Sequence, residues 1–93
     1  MPYVISNHSK KQAKKLNLII KVSTRKNKKI DVYDADNNYI NSIGDINYND
    51  YGIFLKIFGQ IFANNRRDLY HARHKKGINI INSKQYLSAN ILW

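Results

Sequence analysis

The chain has no cysteine and no glutamate, and its 93 residues include only one proline and four glycines. Without cysteine there is no disulfide framework, no thiolate zinc site and no cysteine nucleophile. No apolar run approaches the ~18 residues that a membrane-spanning helix requires. The N-terminal segment has no continuous apolar stretch after a basic start, so we expect no secretory signal. A chain of this length is expected to form one domain.

Charge of one sign dominates the chain. Sixteen Lys and Arg residues stand against six Asp, for a net charge of +10. Residues 1–30 contain nine basic residues and no acid, and residues 66–93 contain six basic residues and one Asp, whereas residues 31–65 contain five Asp and one Lys. Two basic blocks around an acidic middle predict a polyanionic partner, with nucleic acid first. The alternative is that the lysines only charge the surface of a small protein.

The first half of the chain predicts a small antiparallel sheet. Apolar residues alternate with others from Leu16 to Val22, which is typical of a half-buried strand. Further strands are predicted at Lys29–Tyr33 and Tyr39–Ile43, separated by polar turns. Residues 1–15 have no periodic apolar pattern, so we expect a flexible basic arm followed by a single domain over residues 16–93.

The second half predicts helices. Asn49 or Asp50 is placed to cap a long helix, within which Gly59 marks a possible break. Its apolar residues share one face and are expected to pack on the sheet: Tyr51, Phe54, Leu55, Phe58, Ile61, Phe62 and Leu69. Ser83 is placed to cap a short C-terminal helix, and the apolar end at residues 91–93 is expected to dock on the core. The predicted fold is therefore α+β: a three-stranded antiparallel sheet packed against one long helix, with a short C-terminal helix.

Basic and aromatic side chains are interleaved at the end of the long helix. We predict a nucleic-acid-binding face there, because Arg suits phosphate oxygens and rings stack on bases. Its residues are Arg66, Arg67, Tyr70, His71, Arg73, His74, Lys75 and Lys76. Auxiliary contacts are predicted in the first hairpin turn, at Arg25, Lys26, Lys28 and Lys29. The alternative is an ordinary solvated helix face and a charged turn that prevents strand pairing.

The sequence gives less support to a metal site or to catalysis. Asp34, Asp36 and Asn38 match the start of a calcium loop, but Tyr39 stands where the loop needs Gly, which favours a polar hairpin turn. His71 and His74 lie three residues apart without a recognisable third metal ligand. We therefore predict no catalytic residue, no metal site and no cofactor, while a small metal-dependent nuclease remains the alternative for an enzyme.

Several stretches together resemble a family of small basic proteins of unassigned function from giant DNA viruses and some tailed phages. They span about residues 14–93 and comprise Lys15-Leu16, Ser23–Lys26, Lys28-Lys29, Asp31–Tyr33, Ser42–Ile46, Tyr48, Asp50-Tyr51, Arg66-Arg67, Leu69-Tyr70, Arg73-His74 and Ile91–Trp93. The family usually has Pro where this chain has Gly52, a charged helix where it has Ile53–Phe62, and a Gly-rich turn in place of residues 82–85. A more apolar middle helix is consistent with a contact to another protein.

The resemblance implies a viral protein in the virion or in the cytoplasm or nucleus of an infected cell, and not a secreted one. We expect a non-catalytic protein that binds nucleic acid, DNA before RNA, through the basic helix face. The alternative is a virion structural protein, such as a minor capsid, cement or core component, that binds acidic protein partners. No membrane partner is expected, and the oligomeric state stays open.

Overall fold

A computed structural model describes residues 3–93 of the chain as an α+β fold. The elements in chain order are α1 (Asn7–Lys15), β1 (Ile19–Val22), β2 (Lys28–Tyr33), β3 (Tyr39–Asp45), α2 (Tyr51–Phe58), α3 (Gln60–Arg73) and α4 (Lys84–Leu87), which continues as a π-helical turn (Ser88–Leu92). The strands form one antiparallel sheet in the order β1-β2-β3. The predicted fold class is confirmed.

The sheet is a meander with tight polar turns. In its register Ile30 lies opposite both Val22 and Ile43, which aligns the apolar residues of the three strands on one face. Between β2 and β3 the Asp34 carboxylate accepts hydrogen bonds from the backbone N–H groups of Asp36 and Asn38, at 3.0 and 2.9 Å. A carboxylate bound by its own turn stabilises the hairpin. The polar-turn interpretation of this segment is confirmed.

The C-terminal segment covers the apolar face of the sheet. Ile30, Val32 and Ile43 form one fully buried cluster with residues of α4 and the π-helical turn, namely Leu87, Ile91 and Leu92. Ser83 caps α4, because its side-chain oxygen accepts from the backbone N–H of Tyr86 at 3.1 Å. The short C-terminal helix, its cap and the docking of the apolar chain end are confirmed.

The expectation of a flexible arm over residues 1–15 is wrong for residues 7–15, which form α1; residues 1 and 2 lie outside the described part of the chain. Ser6 caps the helix, and Ser9 and Ala13 are buried one turn apart. The Ser9 hydroxyl donates to the Ile91 carbonyl at 2.9 Å. Small side chains let the helix backbone approach the C-terminal turn closely, so this helix needs no stripe of large apolar residues.

The predicted long helix is divided at Gly59 into α2 and α3. Asp50 caps α2 by accepting from the Ile53 N–H at 3.1 Å, and Gly59 adopts a φ of 86°, which L side chains rarely adopt. Most of the apolar stripe does not lie in the core: of its seven residues only Tyr51 is buried. The expectation that this stripe packs on the sheet is corrected, because the C-terminal segment occupies that place.

Candidate nucleic-acid interface

A cleft of about 570 Å³ lies between α3, the loop that follows β3, and the end of the chain. Its lining comprises Lys29, Gly44, Asp45, Asn47, Tyr48, Asn49, Asp50, Phe54, Arg66, Tyr70, Arg73, His74, Leu92 and Trp93. Four of the eight residues predicted for the helix face thus line one cleft. They recur at spacings of four, three and one along α3 and its C-cap, which places them on one side of that helix.

The arginines that α3 contributes to the cleft have no acidic partner in the described part of the chain. Within residues 3–93 the one ion pair joins Lys29 to Asp50, so neither Arg66 nor Arg73 is paired with a carboxylate. The Arg66 guanidinium lies 5.5 Å from the centre of the Phe54 ring. A guanidinium held over a ring keeps its N–H groups available at the ring edge, where an anion can approach.

A stack of aromatic rings forms one wall of the cleft. Tyr70 lies between His74 and Trp93, with ring centres 4.3 and 4.7 Å away, and its ring is within 14° of parallel to the indole. Phe54 extends the row, with its ring centre 5.9 Å from that of Trp93. Burial raises the pKa of the Tyr70 phenol, which therefore stays protonated and can donate a hydrogen bond. Sequence reasoning placed Trp93 in the core and missed its role as a wall of this cleft.

The opposite lip is the loop between β3 and α2. The Asp45 carboxylate accepts from the Asn47 backbone N–H at 2.8 Å and so shapes the turn. Tyr48 follows with 71% of its surface exposed. An exposed ring beside free cations is the arrangement on which proteins stack nucleobases. Tyr48 was not among the predicted site residues; the signal that could have found it was a large aromatic residue inside an otherwise polar loop.

A buried ion pair forms the floor of the cleft. The Lys29 ammonium donates to Asp50 Oδ2 at 2.9 Å, and the Tyr3 hydroxyl donates to the same oxygen at 2.6 Å. The two charged side chains are 2% and 1% exposed. The prediction that Lys29 contacts nucleic acid from a solvated turn is corrected, since its charge is neutralised inside the fold.

The remaining residues of the predicted helix face point elsewhere. The Arg67 guanidinium lies 4.8 Å from the Tyr51 ring centre and donates to Asn64 at 3.2 Å, on the side of α3 that faces α2. His71 Nε2 lies 3.3 Å from the Ala89 carbonyl, which can only accept, so this nitrogen carries the proton. Lys75 and Lys76 are exposed beyond the end of α3. The predicted single face is therefore split, and Arg67 and His71 lie outside the cleft.

The first hairpin turn borders the loop of the cleft without lining the cleft itself. The Ile46 N–H donates to the Asn27 carbonyl at 3.1 Å, which ties the turn to the loop after β3. Lys26 is exposed, Lys28 is half-buried opposite Asp45 in the sheet, and the Arg25 guanidinium lies 5.0 Å from the Tyr39 ring centre. These three cations lie beside the cleft and do not line it.

The chain matches no known protein family, no curated protein and no solved structure with which it was compared. Within residues 3–93 there is no group of three His, Cys, Asp or Glu side chains that could hold a metal ion. No helix of that part of the chain is long and apolar enough to cross a lipid bilayer.

Proposed function

We propose that this protein binds nucleic acid without catalysing its cleavage, with DNA as the first candidate, and that the cleft between α3 and the β3–α2 loop is the contact. The observation that carries the proposal is the convergence of Arg66, Arg73 and His74 on a cleft that also presents Tyr48 and a stack of rings. The resemblance to basic proteins of large DNA viruses, whose function is unassigned, is the ground for proposing a virus as the source.

The chemistry of the cleft favours binding over catalysis. Arg guanidinium groups match phosphate oxygens in pairs, and rings accept unstacked bases. The carboxylates near these cations are already engaged: Asp50 by Lys29 and Tyr3, and Asp45 by its own turn. An anion-binding surface needs cations that have no partner within the protein, and it needs nearby carboxylates to be engaged so that they do not repel the anion.

The proposal is tested by titrating labelled DNA with the protein at several salt concentrations. Binding through phosphates makes log affinity fall with log salt by about 0.9 per phosphate neutralised on duplex DNA and about 0.7 on single strands. The double variant Arg66→Ala/Arg73→Ala removes two phosphate contacts. The slope of log affinity against log salt should therefore become shallower by about twice the value per phosphate, and affinity should fall by about 10-fold per arginine. Trp93, the single tryptophan, gives a second readout, since its fluorescence changes when a ligand enters the cleft.

Lys11→Ala/Lys56→Ala is the matched control, because it removes the same two charges from exposed positions that do not line the cleft. The proposal requires the arginine variant to lose more affinity than this control and to lose the Trp93 response. Equal losses in the two double variants, or binding with no dependence on salt, would show that the cleft is not the contact.

A virion structural role is the second candidate, supported by a different observation. The apolar residues of α2 and α3 that face solvent are typical of a protein–protein contact, and unpaired cations suit acidic partner surfaces. A chain that assembles but shows no affinity for nucleic acid at low salt would favour this function over the first.

A further inference from the structure

The α2–α3 turn presents large apolar side chains to solvent, and we call these residues the apolar face. They are Leu55, Ile57, Phe58, Ile61 and Phe62. Ile61 is 82% exposed, Ile57 61% and Phe58 56%. The Phe58 and Phe62 rings lie 4.6 Å apart between centres, and Phe62 lies 5.4 Å from Phe54, so these three rings form one cluster at the turn between the helices.

The area of this surface is that of half an interface. Taken over five side chains, the exposed fractions amount to roughly 600 Å², at the upper end of the largest apolar patches on ordinary monomers. Pairing two such surfaces would bury roughly 1,200 Å² in total, which is the lower bound for specific and stable interfaces. The apolar face therefore reaches the size at which specific interfaces between two chains begin.

Charge is absent from the apolar face. Residues 57–65 contain no ionisable side chain, and Lys56 is the one charged residue in residues 51–65 of a chain with a net charge of +10. A partner held by charge complementarity would need charged residues on this face. Residues 51–65 contain one such residue, Lys56, which lies at the edge of the apolar face. The surface is therefore matched by another uncharged apolar surface, and its own copy is one.

Gly59 leaves the backbone open at the middle of the apolar face. A Cβ built on this residue would have no atom within 4 Å, and the chain changes direction between α2 and α3 at its positive φ of 86°. A bare backbone between Phe58 and Ile61 gives a facing side chain room to approach closely.

We propose that the apolar face is the interface of a homodimer in which two copies meet through the same residues about a two-fold axis. An isologous contact is satisfied by one self-complementary patch on each copy. The arrangement keeps the cationic cleft, which begins one turn later at Arg66, outside the buried contact. The proposal is independent of what the cleft binds.

The test is the mass of the purified full chain in the absence of nucleic acid, measured by sedimentation equilibrium up to about 100 µM. We expect the average mass to rise with protein concentration from 10.9 kDa, the mass of one chain, to twice that value. Ile61→Lys places a charge at the most exposed position of the apolar face. Because each copy carries this charge, two lysines would enter the dimer interface, and the dissociation constant should rise by at least about 100-fold. A chain that stays at 10.9 kDa over the whole range would overturn the proposal and indicate a different protein as the occupant.

Ile81→Lys is the matched control, since Ile81 is 74% exposed and lies outside α2 and α3. The proposal requires this variant to dimerise like the parent chain. Salt gives a further criterion: screening the repulsion between two cationic chains should strengthen an apolar dimer as salt rises, opposite to the trend for nucleic acid. A dimer that survives Ile61→Lys, or that dissociates as salt rises, does not form through the apolar face.

Discussion

The ammonium group of Lys29 lies 2.9 Å from the carboxylate of Asp50, and both side chains are removed from solvent. Asp50 also caps α2 and accepts from Tyr3, so one carboxylate joins the N-terminal segment, β2 and α2. Burial and the bond to this carboxylate raise the pKa of the Tyr3 phenol, which keeps the hydroxyl protonated as a donor. The floor of the cleft is thus held by a charge pair whose partners come from distant parts of the chain.

Replacing one member of this pair should destabilise the fold strongly. Lys29→Met keeps the length of the side chain and leaves the Asp50 charge buried without its cation, which typically costs about 3–5 kcal/mol. The free energy of unfolding is measured by urea denaturation at pH 7. Lys26→Met, at an exposed position of the neighbouring turn, should change it by less than about 0.5 kcal/mol.

The double variant Lys29→Met/Asp50→Asn tests how much of the loss in Lys29→Met comes from the unpaired charge of Asp50. Removal of both charges should recover part of the stability lost in Lys29→Met, because no charge is then left uncompensated. A loss below about 1 kcal/mol in Lys29→Met, or a double variant less stable by the full sum of the two single losses, would show that the pair contributes little.

Stacking on Tyr48 should contribute to binding independently of charge. Tyr48→Ala removes the ring from the lip of the cleft and is expected to weaken single-stranded DNA binding by about 1–3 kcal/mol, or roughly 5- to 150-fold. The dependence on salt should not change, because no cation is removed. Tyr48→Phe keeps the ring and should bind like the parent chain; if it binds as weakly as Tyr48→Ala, the hydroxyl and not the ring makes the contact.

Stability should fall as pH drops below the ordinary pKa of histidine, because of His8. Burial lowers the pKa of this imidazole, and the positive charges of Arg67 and Lys15 lower it further, against a hydrogen bond to the Trp93 carbonyl and the charge of Asp50. A folded-state pKa below the unfolded value of ~6.5 means that the unfolded chain takes up the proton first. The stability present above pH ~6.5 is then lost progressively as pH falls toward the folded-state pKa.

Urea midpoints measured between about pH 7.5 and 5.5 for the parent chain and for His8→Gln test this sign. The midpoint of the parent should decrease over this interval more than that of the variant, which has no imidazole to protonate at this position. Parallel curves for the two proteins would show that His8 titrates alike in the folded and unfolded chains.

Local patterns of the sequence predict the sheet but not what covers it. The alternation of apolar residues with others along β1 to β3 shows which side chains share a face of the sheet. The polar turn between β2 and β3 forms hydrogen bonds among its own residues. The helical stripe from Tyr51 to Leu69 also marks a shared face, but periodicity cannot say whether another element covers that face or solvent does. Here the C-terminal segment takes the position on the sheet.

The missed features depend on contacts between residues far apart in the chain. Helix α1 is held through Ser9 and Ile91, which are 82 positions apart, and its small buried residues leave no apolar pattern. Lys29 belongs to a basic run in the sequence, and its neutralisation depends on Asp50, 21 residues later. The arginine and tyrosine spacing on α3 did predict one wall of the cleft, whereas Tyr48 and Trp93 reach it only through the tertiary fold.

Gly52 of α2 lies against Ser6, the residue that caps α1, and a methyl group there should destabilise the fold. A Cβ on Gly52 would lie 2.5 Å from both Cβ and Oγ of Ser6, the residue that caps α1 through the Ser9 N–H. Ala is favoured over Gly inside a helix by up to about 1 kcal/mol, but overlap with a fixed cap forces α1 to move. We expect Gly52→Ala to lower the free energy of unfolding by about 1–3 kcal/mol in urea denaturation.

Asn65→Ala is the control for this substitution. Asn65 is exposed in the middle of α3, so the change also introduces a favourable helix residue but places no new atom against another helix. It should therefore change the free energy of unfolding by less than about 1 kcal/mol. If both substitutions are equally mild, α1 moves away from α2 at no cost and the Ser6 cap does not hold it in place; a large loss in Gly52→Ala alone shows that the absence of a side chain at this position maintains the contact between the two helices.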